Sequence, residues 1–149
     1  MASSLSRKAR AGLGIEGMGM TDENFLAAFE DTSLPRYEWT HAAHVRMGFL
    51  YLSRLPYAEA EASIVAGIQR YNAAKGNPTG YHHTITIAFA KLIAVRLTGS
   101  DWPTFLAVNP DLLTFACIQK HYSTEVIKSD KARAEFVEPD LLVLPRTSS

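Results

Sequence analysis

The chain has 149 residues, 47% of them hydrophobic and 20% charged, with 15 basic side chains balancing 15 acidic ones. That size and apolar content fit one domain around one core, and zero net charge leaves no electrostatic footprint for a nucleic-acid backbone or an anionic membrane surface. A single cysteine, Cys117, excludes an intramolecular disulfide framework and points to a reducing, cytoplasmic setting, while no apolar run approaches membrane-spanning length.

Residues 1–20 hold three basic side chains, several serines and four glycines, which predicts a flexible N-terminal tail. The helical domain spans 21–145, with 146–149 as a short C-terminal tail. Thr21 is an N-cap for the first helix, followed by Asp22 and Glu23 in its first turn and by Phe25, Ala28 and Phe29 at core spacing. After a break at Thr32 to Pro35, Thr40 caps a second helix running to about Arg54, which Pro56 closes. The third uses Pro56 as its first position and runs to Asn72, ahead of Lys75-Gly76-Asn77-Pro78.

A fourth helix is predicted from near Thr79 to Leu97, with Gly99 as its C-cap; it is the most apolar segment and the expected centre of the fold. Ser100-Asp101-Trp102-Pro103 opens a short fifth, and Asn109-Pro110-Asp111 opens a sixth that ends near His121. Ser123 and Ser129 cap two final short helices before an extended segment from Pro139 to Pro145. No stretch sustains two-residue alternation, so the expectation is an all-α, compact, single-domain bundle of five to seven helices.

Four of the five histidines fall in two clusters, Trp39-Thr40-His41-Ala42-Ala43-His44 and Gly80-Tyr81-His82-His83-Thr84, each at a helix start. At about 100° per residue, His41 and His44 share an arc with Val45, Gly48, Tyr51 and Leu52, and Arg46 falls on the opposite, solvent side. Gly48 leaves space one turn beyond the histidines for a ligand, a water or another helix. His82 aligns with Ile85, Phe89 and Ile93 and aims inward, whereas His83 takes a neighbouring face.

Residues three apart on a helix have adjacent side chains, so His41 and His44 can chelate one ion, with His82 as a third nitrogen from the fourth helix. The helix dipole disfavours imidazolium there and keeps the rings neutral, as a metal requires. Three nitrogens and an open position describe a catalytic site, in which Glu38 is a further ligand, orienter or base. The opposing interpretation is a buried hydrogen-bond network among these histidines and Tyr37, Tyr51 and Tyr81.

Cys117 and His121, four apart, share a face, but Cys117 sits among core residues and His121 suits a helix end. Arg96 is expected to be solvated; if buried it must pair, with Glu38 as one candidate, and it could then hold a carboxylate substrate. Asn77-Pro78-Thr79-Gly80 lacks the lysine of a phosphate loop, and Trp39 and Trp102 read as helix-start or core aromatics.

With these residues in view, the chain resembles a family of small, mostly bacterial helical proteins of uncharacterised function. The shared segments are Glu38-Trp39-Thr40-His41-Ala42-Ala43-His44, Tyr71-Asn72, Gly80 to Thr86, His121-Tyr122-Ser123, and Pro139-Asp140-Leu141 with Leu144-Pro145. The resemblance runs from about Phe25 to Pro145 and implies no particular reaction. His83 departs from it, standing where the family more often has a glutamate.

The sequence therefore predicts a metal-dependent small-molecule enzyme of hydrolase, lyase or isomerase type. His41, His44 and His82 would hold a divalent ion, zinc first and copper, iron or manganese as alternatives, and Glu38, His83 and Tyr81 would move protons or bind substrate. The alternative is a non-catalytic small-molecule-binding or interaction module. Neither involves nucleic acid or a membrane, and the apolar faces of the second and fourth helices leave room for a homodimer.

Overall fold

A computed structural model describes residues 19–147; most of the expected N-terminal tail, and Ser148 and Ser149 of the C-terminal one, lie outside them. The described residues form eight α-helices and two 3-10 turns, with no strand. Five helices have seven residues or more: α1 (Asp22–Glu30), α2 (His41–Arg54), α3 (Tyr57–Ala74), α4 (His83–Ala94) and α5 (Trp102–Val108). Three single-turn helices follow, α6 (Ala116–Gln119), α7 (Thr124–Ile127) and α8 (Asp130–Ala134); the 3-10 turns are Arg36–Glu38 and Pro110–Leu113. None of the described helices is long and apolar enough to cross a membrane.

The capping chemistry explains most boundaries. Thr21, Thr40, Asp101, Ser123 and Ser129 each accept a hydrogen bond from the backbone N–H three residues on, satisfying an otherwise orphaned donor. Two boundaries differ from expectation. The helix expected from Asn109 to His121 is broken, because Thr114 is extended between the 3-10 turn and α6. The fourth helix starts at His83, with His82 as its N-cap, and ends at Ala94.

The central helix is α2, not the more apolar α4. Every residue from Val45 to Leu52 of α2 is buried, because α1, α3, α4, α5 and the second 3-10 turn pack around it. Arg46 is accordingly not on a solvent face: it is 5% exposed, donates to Asp22 Oδ1 and to the Met20 carbonyl at 2.9 Å each, and lies 4.6 Å from the Phe25 ring centroid. α1 covers the side of α2 that helical phase alone assigned to water. Phe29 packs directly on the backbone of α3 at Gly67, where an added Cβ would stand 2.6 Å from the ring.

The segment after α8 is extended and tied to the body. Thr84 Oγ1 donates to the Glu135 carbonyl, Tyr122 donates to the Val137 carbonyl at 2.6 Å, and His121 exchanges two bonds with Leu141 and Leu142. Arg96 pairs with Asp111 through both guanidinium nitrogens, at 2.7 and 2.9 Å, rather than with Glu38.

Candidate functional site

The N-cap at Thr40 sets the start of α2 and so the orientation of both its histidines. His44 Nδ1 donates to the Thr40 carbonyl at 2.8 Å, and its ring stacks on Trp39 with centroids 3.8 Å apart. Trp39 is itself held between Phe29 and Tyr71, at 4.8 and 5.0 Å. Burial pushes the His44 imidazole down to about 4, with nearby His41 adding to the shift against the opposing Thr40 bond. The ring is neutral, protonated at Nδ1, and keeps an acceptor lone pair on Nε2.

His41 makes the corresponding arrangement with its other nitrogen. Its Nε2 donates to the Leu112 carbonyl at 2.8 Å and its ring meets Phe89 edge-on, leaving Nδ1 without a hydrogen bond to the described residues. Although its residue is largely exposed, the ring closes one side of a hollow between α2, α3 and α4.

His82 does something different from what helical phase predicts. As N-cap of α4 it accepts the Ile85 N–H at Nδ1 (3.1 Å), and its Nε2 donates to the Ile127 carbonyl at 2.7 Å. Burial lowers its pKa, keeping the ring in the neutral form the cap requires. Both nitrogens are thereby committed to backbone groups, so His82 does not join His41 and His44 around a point. Among the described residues no group of three or more His, Cys, Asp or Glu side chains is placed to hold a metal ion.

The remaining expected site residues are dispersed. His83 Nδ1 and the Tyr81 hydroxyl share a 2.6 Å hydrogen bond. Glu38 is 8% exposed, its side chain forms no hydrogen bond or ion pair with described residues, and neither it nor His83 lines the hollows beside His44. Cys117 and His121 do not share a ligand position: the thiol donates to the Thr114 carbonyl and His121 Nδ1 to that of Leu142. Trp102 is core, packed against Phe49 and Phe105.

What the structure does assemble is a pair of adjoining hollows. The first, about 150 Å³, is walled by aliphatic side chains of the three helices, including Ile64, Ile68 and Ile93, together with Phe89, Phe115, His41 and His44. Gly48 contributes to it as its missing side chain suggested: a Cβ there would stand 3.1 Å from Ile93 Cδ1. The second, about 410 Å³ and more polar, holds Trp39, Asn72, Tyr81, His82 and Thr86, and shares His44, Ile68, Ile85 and Thr86 with the first.

Sequence reasoning passed over Asn72. A signal existed, since Asn72 interrupts the apolar stripe that Ile64 and Ile68 begin at four-residue spacing on α3. Phe115 carried no such signal, because it reaches the site only through the break before α6.

Fold and site together define an all-α domain with an imidazole-lined hollow between its central helices. Compared with protein families, curated proteins and solved structures, the chain matches nothing.

Proposed function

We propose that the protein binds a small, largely apolar molecule in the hollow between α2, α3 and α4, with the free ring nitrogens of His41 and His44 as its hydrogen-bonding groups. The observation that carries this reading is a roughly ring-sized apolar space whose wall includes two histidines, each held by a backbone carbonyl through one nitrogen and unpaired at the other. A cavity of about 150 Å³ accommodates a single benzene-sized ring. The orienting carbonyls fix both tautomers, so a hydroxyl or N–H on such a ring finds a preformed acceptor.

The test uses toluene as an apolar probe, followed by the isoleucine Cδ1 methyl signals of the protein. Saturable shifts at Ile64, Ile68 and Ile93 are expected, with Kd on the order of 0.1–1 mM for so few heavy atoms. Gly48→Val, whose new carbons enter beside Ile93, should abolish them. Absence of saturable shifts in the parent protein would reject the reading.

A second reading is favoured by the same two carbonyl bonds. Metal-ligating histidines commonly donate their other ring N–H to a backbone carbonyl, and His41 and His44 are so arranged, three residues apart. A divalent ion bound by this pair alone predicts one zinc per chain in calorimetric titration, lost in His41→Ala and His44→Ala and retained in a folded His82 variant. No heat of binding from the parent protein rules it out.

A further inference from the structure

The polar hollow beside the apolar one has no part in the reading so far, and its chemistry is specific. Asn72 lines it while being only 8% exposed, yet the Asn72 carboxamide makes no hydrogen bond to any described residue. Its amide N and O are not among the buried polar atoms left without a partner, so the carboxamide is open to a space of about 410 Å³ with its donors and acceptor available. Close by, His44 Nε2 offers an unpaired acceptor, and the Trp39 indole N–H is buried without a partner. The Thr86 hydroxyl, by contrast, is spent on the His82 carbonyl.

Charge narrows the occupant. No Arg, Lys, Asp or Glu lines this hollow, and burial keeps both its histidines neutral near pH 7. A carboxylate or phosphate would find only the neutral donors of Trp39 and Asn72 and no countercharge, and an ammonium would meet no acid, so neither charge would be compensated for its desolvation. The groups present call for a neutral partner that both donates and accepts. The amide of Asn72 supplies the complement of another amide, two donors and one carbonyl oxygen, and His44 Nε2 supplies a further acceptor for an N–H.

We propose that the polar hollow receives the neutral carboxamide head of an aromatic ligand whose ring occupies the apolar hollow, with Asn72 and His44 as the specificity-determining residues. This rests on the small-molecule reading above and adds the chemical class of the ligand. The two hollows adjoin along His44, Ile68, Ile85 and Thr86, so ring and head group occupy neighbouring spaces.

Toluene, benzamide and benzoate, titrated in turn against the parent protein and Asn72→Ala with the isoleucine methyl signals as readout, separate the possibilities. Benzamide is expected to bind the parent about tenfold more tightly than toluene, one added neutral hydrogen-bonding group being worth roughly that factor, and benzoate more weakly than either. Asn72→Ala should erase the benzamide advantage and leave toluene unchanged; since Asn72 makes no internal side-chain bond, the variant keeps its fold. Equal binding of toluene and benzamide by the parent, or a benzamide advantage that survives Asn72→Ala, overturns the head-group inference while the apolar site stands. Failure of all three probes to bind overturns both. The comparison within the parent protein decides the matter even if the variant does not fold.

Discussion

His82 offers the sharpest test of the architecture, because one ring makes two separable bonds. Its Nδ1 caps α4 by accepting the Ile85 N–H, and its Nε2 ties that cap to the Ile127 carbonyl of α7. Replacing it with alanine loses an N-cap, worth about 1 kcal/mol. It also strands the carbonyl of Ile127, a residue only 7% exposed, at a further cost of about 1–3 kcal/mol. The expected total is about 2–4 kcal/mol, which at a mid-range m-value of about 2 kcal/mol/M lowers the urea midpoint by about 1–2 M. Asparagine is a good N-cap but too short to reach α7, so His82→Asn should recover the cap and leave a deficit of about 1–3 kcal/mol. Chemical denaturation of the three proteins under identical conditions measures both differences. If His82→Asn unfolds with His82→Ala, or if both stay within about 0.5 kcal/mol of the parent, the two-bond account is wrong.

Three further outcomes are expected. The His44 imidazole is held near 4 in the folded protein against 6.5 as its ordinary value, so the unfolded chain binds the extra proton first. The associated stability is therefore complete above pH 6.5 and lost as pH falls towards 4, by roughly 3 kcal/mol at most; His44→Phe should flatten that part of the stability profile in equilibrium unfolding, and an unchanged slope would sink the assignment. Arg46→Leu should cost about 1–3 kcal/mol by calorimetry, because Asp22 loses its partner, although its own partial exposure tempers the penalty; an unaltered Tm contradicts the buried pairing. Tyr122→Phe removes the 2.6 Å bond to the Val137 carbonyl and should destabilise by about 1–2 kcal/mol, with faster amide exchange from Val137 to Leu142; exchange no faster than in the parent would show that this bond does not hold the segment.

The all-α class, the order of the five longer helices and four side-chain caps could be read from the sequence, because each rests on local chemistry: a Thr or Ser oxygen meeting an N–H three residues on, or a proline or glycine ending a run. So could the space at Gly48 and the placing of His41 and His44 on one helix face. Tertiary packing decided what lies beyond one helix. α1 docks over Arg46 and turns an expected solvent face into a buried ion pair. The break at Thr114 brings Phe115 to the hollow and separates Cys117 from His121 in role. His82 illustrates the limit most directly: periodicity placed it within the fourth helix with a free ring, whereas the chain begins that helix one residue later and α7 presents a carbonyl to its far nitrogen. Which nitrogen of each histidine is engaged depends on carbonyls 4, 45 and 71 residues distant. Only the nearest of these belongs to the same helix start; the others are brought within reach by tertiary packing, which no local pattern encodes.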